Sequence, residues 1–301
     1  MPDVLMHVNY FEEGYTVAET FDKVLEYGYD GVELRGWPRN DETLEEYLYD
    51  VEKQMQRTGV SKVVLSLRGH FMDPDANARK AGVEMLTYVL ERGLDMGCRT
   101  FNASCGMLVA PGADHRQPRK RGSYYADAHH WQWAAEAYGQ VASVAEQCGA
   151  KIAFETHGGY IHDLAKPTKE LLDMIGSDAV GANLDMGNII LHPEGESPEQ
   201  ALEILNGRIY HVHLKNMLRL RGEGFAAVGL AEGCIDTRKF LRMLKEQGYS
   251  HSICIEAPRP GDRDYFAASD LAYTRSLLQY LDWDEQSGHD TVVNLSAVPD
   301  A

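Results

Sequence analysis

The 301-residue chain carries 46 acidic against 29 basic side chains, a formal net charge of -17, and 44% hydrophobic residues. That is ample apolar material for a core of one large or two small domains, and the anionic long-range field argues against nucleic acid or a membrane surface as partner. The opening MPDVLMHVNYFEEGY has acids where a leader carries basic residues, and no window approaches about 20 uninterrupted apolar residues, so a cytoplasmic location is expected.

Along the chain, short runs of strand composition alternate with stretches of helical period, the pattern of successive βα units. The strand VLMHVN (4–9) leads into TVAETFDKVLEYG, where Thr16 with Glu19 matches a capping box, and GVELR (31–35) leads into TLEE, where Thr43 and Glu46 repeat it. KVVLSLR (62–68) precedes ARKAGVEMLTYVLERGLDMG, and RTFNASC (99–105) precedes HHWQWAAEAYGQVASVAEQCG. KIAFET (151–156), VGANLD (180–185), RIYHVHL (208–214) and SICIEA (252–257) complete the strands, with TRKFLRMLKEQG before the last and DYFAASDLAYTRSLLQYLDW after it. Eight units without a linker predict a single-domain α/β protein, a closed (β/α)8 TIM barrel over 1–283 with a polar tail at 284–301. A doubly wound open sheet is the main rival. The cysteines at 98, 105, 148, 234 and 254 form no CxxC pair and read as reduced core thiols.

Two connections, 106–127 and 215–235, are too long to be simple βα loops. In a barrel both lie on the C-terminal rim, where active sites are built. The basic run RQPRKR (116–121) reads as a solvated face or a contact for a partner or an anionic substrate. Trp131 and Trp133, with Tyr124 and Tyr125, are either core rings or an aromatic patch for substrate or a neighbouring subunit.

Four consecutive strand ends each offer one metal ligand: Glu155 ends KIAFE, Asp185 ends GANLD, His211 lies in RIYHVHL and Glu256 ends SICIE. Each alone would pass for a helix cap or a surface acid. On neighbouring strands of a barrel they converge, and a divalent cation supplies the partner that a carboxylate needs at an apolar core. Three carboxylates and one imidazole favour Mn²⁺, with Mg²⁺ or Co²⁺ as alternatives. Residues two apart on a strand share a face, so His213 and Lys215 follow His211 inward and His157 follows Glu155. These imidazoles either orient a hydroxyl and pass protons or hydrogen-bond within a packed rim. Arg68, His70 and Asn102 have weaker claims to substrate binding.

The runs FETHGG, NLDMGN, HVHLKN and IEAPRPGDRDYF resemble the xylose-isomerase-like TIM-barrel superfamily of sugar and sugar phosphate isomerases and epimerases over essentially the whole chain. In its ketose 3-epimerase branch the resemblance implies that Glu155, Asp185, His211 and Glu256 bind the metal and that Glu155 and Glu256 are the acid/base pair. That branch places a substrate-binding His three residues after the strand-six Asp and an Arg six after the metal His, where this chain has Asn188 and Met217; Arg219 or Arg221 are substitutes. The runs also resemble the barrel subunit of C-glycoside deglycosidases, which act on 3-keto-glycosides with a small partner subunit. The implied reaction is proton abstraction next to a carbonyl through a metal-stabilised enediolate, giving an isomerase or epimerase, or a lyase where a β-substituent leaves. His157, His213, Lys215 and Asn188 then contact substrate hydroxyls. A non-catalytic sugar-binding barrel, and a homo-oligomer or small partner subunit, are further readings. A phosphodiesterase on the same barrel would need more His ligands and a basic surface.

Overall fold

The eight parallel strands are largely buried on both faces, which puts helices outside the sheet and favours its closure. The computed structural model describes residues 1–11, 14–38, 41–113, 117–221 and 224–283; the predicted tail at 284–301 lies outside them. Its strands are β1 (Val4–His7), β2 (Gly31–Arg35), β3 (Lys62–Arg68), β4 (Thr100–Ser104), β5 (Lys151–Glu155), β6 (Val180–Asp185), β7 (Ile209–Leu214), β8 (Asn216–Arg219), β9 (Phe225–Val228) and β10 (Ile253–Ile255). All but β8 and β9 pair in parallel as one closed barrel. Closure runs through Met6 of β1, level with Val32 of β2 on one side and Ile255 of β10 on the other. The open-sheet rival is thereby excluded.

The helices are α1 (Val17–Tyr27), α2 (Leu44–Thr58), α3 (Ala76–Asp95), α4 (Ala128–Gln147), α5 (Ala165–Ile175), α6 (Met186–Ile189), α7 (Pro198–Ile204), α8 (Thr237–Glu246) and α9 (Arg263–Tyr280). Both predicted capping boxes form: Thr16 with Glu19 opens α1, and Thr43 with Glu46 opens α2. Gly28 and Gly59 end these helices at φ of 79° and 75°, a left-handed turn that a side chain would strain. No helix among the described residues is long and apolar enough to cross a membrane.

Alternation along the strands sorts two layers. Leu65, Phe101, Phe154, Leu184, Val212 and Ile255 join the main core shared with the helices, whereas Leu5, Val64 and Cys254 form a separate buried cluster. The remaining inward positions are largely polar: Glu33, Asn102, Asn183, His211 and His213 are all buried.

Three local features depart from the sequence reading. The first strand stops at His7, because Val8–Tyr10 curl into a 3-10 turn whose Asn9 N–H donates to His7 Nδ1 at 3.1 Å. The connection 215–235 carries an antiparallel hairpin, β8 against β9, with Arg219 opposite Phe225. In the connection 106–127 a bridge joins Val109 to Arg121, and the loop docks on its neighbour through Leu108 N–H to the Gly159 carbonyl at 2.8 Å. The described part of the basic run is tied to the protein's own loops: Arg121 donates to the Gly158 carbonyl at 3.1 Å and Arg119 lies 3.5 Å from Glu194.

Asp270 of α9 gathers the rim from below. It accepts from Tyr10 at 2.7 Å, from Arg259 at 2.6 and 3.3 Å, and from the Leu230 N–H at 3.3 Å. Removing one partner of a buried ion pair leaves the other charge uncompensated. Asp270→Ala should therefore lower unfolding free energy by about 3–5 kcal/mol in chemical denaturation, and a loss within error of zero would contradict this account.

Candidate metal centre

Parallel pairing sets the depth of each side chain at the rim. Glu155 and Asp185 are the last residues of β5 and β6, Asp185 is level with His213 of β7, and Glu256 follows directly after β10, whose Ile255 is level with Leu214. One ligand atom from each of Glu155, Asp185, His213 and Glu256 lies within 4.8 Å of the others. His213 Nδ1 is 2.9 Å from Glu256 Oε2, 3.7 Å from Glu155 Oε1 and 3.9 Å from Asp185 Oδ2.

Neutral and cationic groups hold these acids in place. Asp185 also caps α6, accepting the Asn188 N–H at 2.9 Å, so the cap and the site share one residue. The Asn188 amide donates to Asp185 at 2.8 Å and to Glu155 at 3.0 Å. Asn9 donates to Glu256 Oε1 at 2.7 Å, and Lys215 Nζ stands 3.0 Å from both Asp185 Oδ2 and Glu256 Oε2. The Lys215 stem passes so close to Gly187 that a Cβ there would lie 2.7 Å from it.

The structure brings His213 to the carboxylates and leaves His211, the histidine chosen from the sequence, one pleat deeper. Both share an inward face, but the pairing of β6 with β7 shifts register between Ala182 and Asn183, and this sets Asn183 level with His211 and Asp185 level with His213. His211 is fully buried, with Nε2 on Glu33 at 2.9 Å and Nδ1 on the Ser252 hydroxyl at 3.0 Å. Counted from His213, Arg219 stands six residues on.

The charges are strongly coupled. Burial pushes the Glu155 carboxyl up, but the His213 ring beside it outweighs burial and brings it to about 2. For Glu256, burial is likewise outweighed, here by Lys215 and His7, and its carboxyl sits well below the usual range. Asp185 moves the other way: burial raises it, Glu256 and Glu155 add to the rise, and Lys215 only partly opposes them. Burial lowers the His213 ring, yet Glu33 beneath it and the acids beside it raise it well above its ordinary value.

A divalent cation fits this donor set. His213 Nδ1 and Glu256 Oε2 are buried 2.9 Å apart where the acids converge, and three carboxylates with one imidazole suit an oxygen-preferring ion. A family model described as the xylose isomerase-like TIM barrel matches residues 21–280. The chain belongs to that family. Inosose dehydratase of Clostridium beijerinckii is 26% identical over 180 residues, 54% of this chain and 58% of that relative, so the match spans less than two thirds of its length. Among solved structures, an L-ribulose 3-epimerase superposes with a TM-score of 0.74 at 18% identity, covering 94% of this chain and 97% of the other. The IolI protein with a bound zinc atom superposes at 0.69 and 19% identity, covering 93% and 98%.

In this xylose isomerase-like barrel the other sequence candidates scatter. Asn102 lies inside the barrel rather than at its mouth, because its side chain is fixed by Asn183 at 3.0 Å and by the Ala103 N–H at 3.0 Å. His157 is half-buried and turns to the Gly158 carbonyl at 3.1 Å. Arg68 and His70 are exposed at the end of β3, and the Arg68 guanidinium stacks 5.2 Å from the Trp37 ring. Trp131 packs on the core, Trp133 lies 4.2 Å from Arg79 and Tyr124 stacks on His192, so they serve separate contacts. Sequence reading missed Glu33, His7 and Asn9; the signal for Glu33 was an acid flanked by Val32 and Leu34 inside a strand.

His162 fixes the backbone at Glu155. Its Nε2 accepts the Cys105 N–H at 3.2 Å, so Nδ1 carries the proton and donates to the Glu155 carbonyl at 2.7 Å. Burial lowers this ring from 6.5 to about 4, partly offset by that carbonyl. A base with a depressed folded pKa contributes stability that is complete above about 6.5 and is lost as pH falls toward about 4. Denaturant unfolding across this window should show a loss of order 3 kcal/mol that His162→Gln removes; identical pH profiles for the two proteins would refute it.

Proposed function

We propose that this chain is a divalent-metal-dependent enzyme that removes a proton from the carbon next to the carbonyl of a small keto sugar or related keto polyol, as an isomerase or epimerase. The observation that carries the reading is the convergence of Glu155, Asp185, His213 and Glu256 at the barrel mouth, one ligand atom of each within 4.8 Å of the others. Held by these four residues, a divalent ion, Mn²⁺ by preference, supplies Lewis-acid polarisation of a carbonyl oxygen. The zinc in the related IolI structure supports an ion of this class.

Glu155 and Glu256 stand on either side of Asp185 and His213 along the rim, because β6 and β7 separate β5 from β10. A substrate carbon between them meets one carboxylate on each side, one to take the proton and one to return it. Both are held ionised, the state the abstracting carboxylate requires, so the one that returns a proton must first take one up from solvent. Asn188 fixes the Glu155 oxygen at 3.0 Å, and Lys215, held charged by Asp185 and Glu256, offers a donor to a substrate hydroxyl.

A lyase is the second reading, favoured by the sequence likeness to inosose dehydratases. Elimination needs a proton for the departing group, and Lys215 Nζ at 3.0 Å from Glu256 supplies a donor on the base's own side. A 3-keto-glycoside substrate falls within this reading. The two reactions share the proton abstraction and diverge in the fate of the enediolate.

Glu155→Gln and Glu256→Gln should each lower turnover by about 10²- to 10⁴-fold, measured with the Mn²⁺-loaded protein; a loss under about tenfold would remove that residue from acid/base work. NMR in deuterated water with free ketoses, inososes and 3-keto-glycosides separates the readings. Deuterium entering next to an intact carbonyl supports the isomerase or epimerase, release of water or an aglycone supports the lyase, and no change with any of them leaves only the binding barrel.

A further inference from the structure

Beneath the centre lies a buried carboxylate that the proposed chemistry does not use. Glu33, in the middle of β2, is 0% exposed. Its Oε2 accepts from both histidines of the HVH run, His211 Nε2 at 2.9 Å and His213 Nε2 at 2.8 Å. β2 is not a neighbour of β7, since β1 and β10 intervene, so these bonds cross the barrel interior. An ionised carboxylate only accepts, hence both rings donate from Nε2.

That commitment decides what each ring offers from its other nitrogen. His211 Nδ1 is taken by Ser252 at 3.0 Å, on the side away from the rim. His213 Nδ1 faces Glu155, Asp185 and Glu256, at 2.9 Å from the last. His7 packs edge-on against His213, ring centres 5.3 Å apart, and its Nε2 is 3.7 Å from Glu33 Oε1. Rotation of the His213 ring would break its bond to Glu33 and carry it into His7.

We propose that Glu33 is the positioning residue of the metal centre: by binding Nε2 of His213 from beneath, it holds that ring with Nδ1 presented to the ion. This rests on the metal reading above. Glu33 itself touches neither ion nor substrate, and acts through His213 alone. Carboxylates that orient a ligating imidazole in this way commonly govern affinity by 10- to 100-fold.

The test uses the full chain with Mn²⁺ as probe. Calorimetric titration should show Glu33→Gln, which keeps the side-chain volume but loses the charge, binding Mn²⁺ about 10- to 100-fold more weakly, with an unchanged far-ultraviolet spectrum. In the metal-free protein, the His213 Nε2–H should give a downfield, exchange-protected NMR signal that moves upfield and exchanges faster in Glu33→Gln. Unchanged Mn²⁺ affinity in the folded variant, or no such protected signal in the unsubstituted protein, overturns the proposal. Should Glu33→Gln fail to fold, Glu33→Asp withdraws the charge by one methylene and is expected to weaken Mn²⁺ binding; wild-type affinity there overturns it as well. If the unsubstituted protein takes up no Mn²⁺, the metal reading fails, while the imidazole signals still decide whether Glu33 holds His213.

Discussion

The contact on which the site depends is the pair of imidazoles donating to one oxygen of Glu33 inside the barrel. A charge at 0% exposure is costly unless paired and hydrogen-bonded. Burial alone would push the Glu33 carboxyl up; His213 and His211 outweigh that and hold it well below its ordinary range. In return the carboxylate orients both rings. The arrangement links strands that are not neighbours, so side-chain electrostatics specify a relation that the backbone ladder does not.

A polar interior changes where stability resides. Barrels of this type are usually filled by layers of branched apolar side chains, but here the apolar interior cluster of Leu5, Val64 and Cys254 sits among buried acids, amides and imidazoles. The main hydrophobic core lies between strands and helices, in residues such as Phe101, Phe154, Val212 and Leu241. Function and packing are thus separated by strand parity: outward positions carry the burial that holds the fold, and inward positions near the C-terminal ends carry the chemistry. The rim loops join the same scheme, since the 106–127 connection is bonded to the loop after β5 and Tyr124 donates to Glu194.

The step proposed for the quartet is common to isomerases, epimerases and lyases, so that proposal does not choose among them. Lys215 stands beside the acids, whereas Arg219 on the hairpin and Arg68 and His70 at the end of β3 are exposed.

Strand and helix order, barrel closure by unit count, both capping boxes and the three acids at strand ends were legible in the sequence, because each depends on local periodicity or on a residue at a segment boundary. Parity also placed His211 and His213 on one inward face. Depth along that face was not legible: it depends on the register between β6 and β7, including a shift at Ala182 and Asn183 that neither strand signals alone. The roles of Glu33, Asn9 and His7 were hidden for the same reason. Glu33 and Asn9 meet partners 178 and 247 positions away, His7 meets His213 on a strand that is not its neighbour, and only closure brings them within reach. Sequence alone determined which side chains point inward; the tertiary structure decided which of them meet, because an inward direction is a property of one strand and a meeting point is a property of the closed ring.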